Sequence, residues 1–172
     1  MPTQSLTQFL DDNHIKYVTI RHSPAYTAAE TAHAAHIPGK IMVKTVIVRV
    51  DGAPAMLVLP SCYKVHSDLL KQELKAGDVT LVSEEELPDL FPGCETGAMP
   101  PFGNLFGLDT YAAESLAEDS EIAFNSGSHE ELIRMSWEDY ERLVSPKIRM
   151  FSFKNIPAHE GTGPGIGNRA KG

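Results

Sequence analysis

Three short stretches carry residue types that could do chemistry. Lys44 lies in the run Met42-Val43-Lys44-Thr45-Val46-Ile47-Val48-Arg49-Val50, and strand alternation gives it the parity of Met42, Val46, Val48 and Val50. An ammonium leaving from an apolar face is costly unless it reaches water, an anion or a carbonyl. Snorkelling past a sheet edge would satisfy it equally well. The second stretch is Gly97-Ala98-Met99-Pro100-Pro101-Phe102-Gly103. Its prolines fix φ and remove two donors, while its glycines open backbone angles closed to other residues. The N–H groups of Gly97, Ala98, Met99, Phe102 and Gly103 then have no regular ladder to join, and they could meet a ligand carbonyl or phosphate or complete a stiff turn. The third stretch, Asn125-Ser126-Gly127-Ser128-His129, presents a histidine after a tight turn between two β-rich runs, where loops hold function. An ordinary half-buried histidine would have the same setting.

Other familiar arrangements are absent. No Gly-x-Ser-x-Gly elbow, His-Glu-x-x-His, Walker loop or strand-linked Gly-x-Gly-x-x-Gly occurs. Cys62 and Cys94 lie too far apart for a metal-ligand pair and read as a reduced cytosolic pair. His33 and His36 could share a helix face, with no third ligand suggested nearby.

The 172 residues, 42% hydrophobic and 22% charged, fit one globular domain with a sizeable core. A formal charge of −8 and the lack of any Lys/Arg run argue against a protein that grips a nucleic-acid backbone alone, and no basic recognition helix suggests duplex DNA binding. An RNA ligand would have to be held by its end or with a partner's help. With no leader pattern and no apolar run near the ~20 residues that span a bilayer, the expectation is a soluble, unexported, cytoplasmic protein.

The elements that must position these residues follow from periodicity and caps. Leu6, Phe9 and Leu10 give a short amphipathic helix ending near Asn13, and Lys16 to Arg21 alternates as a strand. Thr27-Ala28-Ala29-Glu30 is a capping box for a helix that carries His33 and His36 and stops before Pro38-Gly39. Met42 to Val50 and Ala55 to Leu59 form a hairpin across Asp51-Gly52-Ala53-Pro54. Ser67 caps a helix through Lys75, Val79 to Val82 is a strand, and Ser83 to Glu86 is a second capping box for a helix to Leu90. Leu105 to Leu108, Glu121 to Asn125 and Glu130 to Met135 read as strands, and Ser136 caps a last helix holding Trp137, Tyr140, Leu143 and Val144 at helical spacing. The tail from Pro157 is glycine-rich and reads as disordered, leaving 1–156 as the folded domain. The sum, about seven strands in mixed order and five helices, is an α+β or mixed α/β domain.

Lys44 in a Val-rich strand, Gly97 to Pro101 fitting Gly-x-x-x-Pro, and Gly127-Ser128-His129 before a strand and terminal helix together resemble the YbaK family. These editing domains are related to the insertion domain of bacterial prolyl-tRNA synthetase. His22 to Glu30 and Leu57-Val58-Leu59-Pro60 add to the likeness, which runs from about His22 to Val144. The resemblance implies a compact mixed sheet, partly closed like a barrel, with helices outside. It also implies a freestanding deacylase, without metal or other cofactor, that hydrolyses the ester between a small wrongly attached amino acid (alanine, cysteine, serine or similar) and tRNA, most naturally that for proline. The family's catalytic positions fall on Lys44, Gly97 and His129. Tyr26, Met99, Pro101, Phe102, Gly103, Asn125, Ser126 and Gly127 are the expected substrate-binding positions. Partners would be the acceptor end of mischarged tRNA and prolyl-tRNA synthetase. A non-catalytic tRNA- or synthetase-associated module of the same fold is the alternative.

Overall fold

The structure, a computed structural model, describes residues 3–154 other than Pro24 and Tyr26, so the glycine-rich tail lies outside the described residues. The helices are α1 (Thr3–Asp12), α2 (Ala28–Ala34), α3 (Ser67–Leu74), α4 (Leu87–Leu90) and α5 (Trp137–Val144). The first strands are β1 (Tyr17–Arg21), β2 (Val43–Val50), β3 (Ala53–Pro60), β4 (Tyr63–Val65) and β5 (Val79–Leu81). β6 (Asp109–Ala113), β7 (Glu121–Ser128), β8 (Glu131–Ser136), β9 (Lys147–Arg149) and β10 (Ser152–Lys154) complete them.

These strands form a five-stranded sheet in the order β5-β2-β3-β6-β9, a three-stranded sheet β1-β8-β7 and a two-stranded ribbon β4-β10. The larger sheet is mixed: β2 runs antiparallel to β3 and β5, whereas β3, β6 and β9 run parallel. A single parallel bridge, Met42 to Ala123, ties the start of β2 to β7. No closed barrel forms among the described residues.

Strand alternation distributes the core. Val43 and Ile47 of β2, Met56 and Val58 of β3 and Phe124 of β7 turn into the main core, where they meet Leu6, Leu10, Phe102 and Tyr140. The opposite face of the five-stranded sheet buries Val48, Leu57, Leu59 and Ala113 beneath Leu70 of α3 and Phe151, with the β4–β10 ribbon at its edge. A third cluster, Met42, Ala123 and Leu132 under Ala32, Ile37 and Ile41, seats α2 at the junction of the two sheets.

The caps follow the sequence closely in two places. Thr27 and Glu30 form both halves of a capping box, and the Ser136 hydroxyl accepts from the Asp139 N–H. Elsewhere the structure differs. His66, not Ser67, caps α3 through its Nδ1. Glu86 accepts from Arg49 through Oε1 and from the Ser83 N–H and hydroxyl through Oε2, but no Ser83 side-chain cap on Glu86 N–H forms and α4 starts only at Leu87, so the second box is half made. His36 lies beyond the end of α2 with φ 58°, so the two histidines do not ride the helix together. The hairpin turn is Asp51-Gly52 alone, both residues at positive φ as a two-residue turn demands. Leu105 to Leu108 is not a strand; Gly103–Phe106 is a 3-10 turn and the strand follows at β6. β7 also continues past Asn125 through a bulge to Ser128, so the turn falls at His129 and Glu130.

Candidate functional site

Gly97 and His129 meet. Gly97 has φ +88°, a backbone angle that side chains rarely adopt, and a Cβ added there would make only ordinary contact with the ring, 3.5 Å from His129 Cε1, so the angle and not the space calls for glycine. The imidazole bridges two backbone carbonyls, with Nε2 2.8 Å from Thr96 O and Nδ1 3.1 Å from Ala25 O. A neutral ring has one N–H, so both contacts are hydrogen bonds only when the ring carries two protons. The His129 N–H donates to the Glu95 carboxylate, the Glu95 N–H donates to Gly127 O at 2.8 Å, and the Ala25 N–H donates to His129 O at 3.2 Å. One turn thus fastens the glycine loop on one side and the approach to α2 on the other.

Loop donors divide into used and available. Ala98 N–H donates to Glu95 O and Phe102 N–H to Pro100 O. Gly97 N–H has only the Met99 thioether, a weak acceptor, at 3.3 Å. Among the described residues the Met99 N–H has no partner. The loop donors left without a strong acceptor are therefore Gly97, Met99 and Gly103, and the last is packed against Thr110 and Leu108.

Lys44 stands half-buried on β2, opposite Leu59 of β3. Burial pushes its pKa below the ordinary lysine value; nearby Cys62 opposes that shift and Lys64 adds to it. No described residue holds its ammonium in an ion pair or hydrogen bond. It opens onto a cavity of about 270 Å³ shared with Val46, Val48, Lys64 and Leu70, which neither Gly97 nor His129 lines. The link between the two sets is the Met42–Ala123 bridge, because two residues farther along these parallel segments come Lys44 and Asn125. Asn125 pairs with Leu132 and is only 9% exposed, and its Oδ1 is buried without a partner among the described residues. Such an orphaned acceptor costs about 1–3 kcal/mol unless something donates to it.

The remaining expected residues serve varied ends. Met99 and Pro101 are buried, and Pro101 O accepts from the Tyr140 hydroxyl at 2.6 Å. Phe102 belongs to the core, edge-on to Phe124 and Tyr140. Gly103 is required by packing, since a Cβ there would lie 2.2 Å from Thr110 Oγ1. Ser126 is turned to Glu131, its hydroxyl 3.0 Å from Oε1, and Gly127 holds the bulge at φ 117°. Tyr26 lies outside the described residues. Sequence reasoning missed Ala25, Glu95 and Thr96, two of which act through backbone carbonyls and so leave no side-chain pattern.

The model of the aminoacyl-tRNA editing domain matches residues 22–143. No curated protein matches the chain. Among solved structures, a candidate trans-editing enzyme for prolyl-tRNA synthetase is 20% identical with a TM-score of 0.74, over 90% of this chain and 97% of that one. A hypothetical protein is 18% identical with a TM-score of 0.77, over 86% and 99% of the two chains. A provisionally named signal transduction protein from Marinobacter aquaeolei VT8 is 16% identical with a TM-score of 0.70, over 90% of this chain and 33% of that one. At these identities the structural likeness speaks for the fold.

Proposed function

The chain belongs to the aminoacyl-tRNA editing domain family, and on that premise we propose that it is a deacylase acting in trans on tRNA for proline that carries a small wrong amino acid. What carries the reading is the contact of Gly97 with His129, which draws the glycine loop, the β7 turn and the approach to α2 around one point. An aminoacyl ester is already activated, so the site must place water and stabilise an oxyanion more than generate a strong nucleophile. Water adds to the acyl carbon, the C–O bond to the terminal ribose breaks, and the ribose oxygen leaves with a proton.

Gly97 and Met99 N–H groups are the proposed oxyanion donors, Lys44 holds the carbonyl or the terminal phosphate, and Asn125 Oδ1 accepts from the substrate's ammonium. His129 acts as a positioning residue that fixes the loop. A second sieve that admits only small residues adds selectivity where a synthetase gains only about 1–3 kcal/mol from one methylene. The trans-editing assignment takes support from the structural neighbour of that name. Purified protein offered tRNA for proline charged with alanine, cysteine, serine or proline is expected to release the small residues and spare proline. Release of none of them refutes the proposal.

A further inference from the structure

A second cavity, of about 210 Å³, lies on the same face of the five-stranded sheet as Lys44. Tyr63, Ser115, Glu118, Arg149, Ser152 and Phe153 are among the residues that line it. Two features set it apart from an ordinary surface dent. The hydroxyls of Ser115 and Ser152 are both buried without a partner among the described residues, and Ser152 as a whole is only 7% exposed. Phe153, whose ring meets His66 edge-on, lines the same cavity and is 52% exposed. Buried orphan hydroxyls are costly, and a polar, flat ligand stacked on the open Phe153 ring would supply their partners.

The register fixes where this cavity lies relative to the proposed site. Lys44 is opposite Leu59, Val58 opposite Ala112, and Ala113 opposite Arg149. Lys44, Leu59, Ala113 and Arg149 therefore form one row across four strands, with roughly 14 Å between its ends at the usual strand spacing. The β4–β10 ribbon divides the row: Lys64 and Val65 border the Lys44 cavity, and Tyr63, Ser152 and Phe153 border the second. The lining also tells which part of a ligand would enter. Glu114 and Glu118 accompany the one guanidinium, which disfavours a phosphate and suits a neutral ring carrying both donors and acceptors.

We propose that this cavity receives the base of the nucleotide next to the terminal one in the single-stranded 3′ end of tRNA, stacked on Phe153 and hydrogen-bonded by Ser115 and Ser152. The assignment rests on the deacylase reading for the identity of the strand. Single-stranded RNA is held elsewhere by bases stacked on aromatic rings and bonded at their edges, and such contacts supply affinity that does not depend on gripping a duplex.

The test compares two esters, an alanylated CCA trinucleotide and alanyl-adenosine, which lacks the neighbouring base. Phe153→Ala and Ser152→Ala are each expected to raise KM for the trinucleotide by about ten-fold, within the range of one lost stacking contact, and to leave kcat/KM for alanyl-adenosine unchanged. Equal effects on both substrates, or none on either, overturn the base site. A second measurement works without turnover: an unacylated CCA trinucleotide carrying pyrrolocytosine at the penultimate position should lose fluorescence on binding the wild type and not on binding Phe153→Ala. Quenching by a protein that hydrolyses no ester would refute the deacylase and retain the base site. Hydrolysis with no Phe153-dependent quenching would do the reverse.

Discussion

Lys44 is the residue on which the proposed chemistry turns, and its environment makes a directional prediction. Burial lowers its pKa below the ordinary 10.5, so the charged form is lost sooner as pH rises. If the cation holds the substrate, the enzyme-dependent rate falls on the alkaline side at a pH below that of a free lysine. Lys44→Arg should move that limb upward because a guanidinium keeps its charge, which a pH–rate profile corrected for spontaneous ester hydrolysis measures. Gly97 makes a different demand. With φ +88° and room for a Cβ beside the His129 ring, Gly97→Ala should cost about 1–2 kcal/mol through the backbone angle alone and reduce kcat/KM as the loop relaxes toward negative φ. Gly103→Ala serves as the contrast, meeting Thr110 Oγ1 and the Leu108 carbonyl, so overpacking of about 1–3 kcal/mol should show in thermal unfolding. Of this, the sequence made Lys44 legible through parity and Gly97 through its neighbours. It did not reveal that both His129 nitrogens face carbonyls, because backbone acceptors carry no residue signature.

Among the elements, the caps of α2 and α5 were legible, since a hydroxyl and a carboxylate at fixed spacing have a local cause, whereas those of α3 and α4 were not. Thr27→Ala should cost about 1 kcal/mol in denaturant unfolding by releasing the start of α2 beside the Ala25–His129 contact. The three-residue strands β4, β9 and β10 were illegible for the opposite reason: each is held by a partner distant in sequence, as Arg149 is by Ala113 and Ser152 by Val65. The apolar run Leu105 to Leu108 misled because Gly103 and Gly107 wind it into a 3-10 turn closed at a left-handed glycine. α5 and the glycine loop also form one unit. The buried Tyr140 hydroxyl donates to Pro101 O, so Tyr140→Phe should cost about 1 kcal/mol and lower kcat more than KM if that strut holds the oxyanion donors in place.

At the scale of the whole molecule, the α+β class followed from counting periods and turns, but the division into a five-stranded sheet, a three-stranded sheet and a ribbon did not. That division depends on long-range pairings such as the Met42–Ala123 bridge, which neither strand announces by itself. The same bridge is what relates Lys44 to Asn125 and thus the two halves of the proposed site. The net charge of −8 further implies that tRNA affinity changes little with salt compared with a basic backbone-binding protein. The most direct test is the single-turnover release of labelled alanine from alanylated tRNA for proline by wild type and by Lys44→Ala, both shown folded by thermal unfolding. The proposed mechanism requires rapid release by the wild type and a loss of about a hundred-fold or more in the variant, the scale on which one electrostatic contact to a developing oxyanion acts. Equal rates for the two proteins would contradict it.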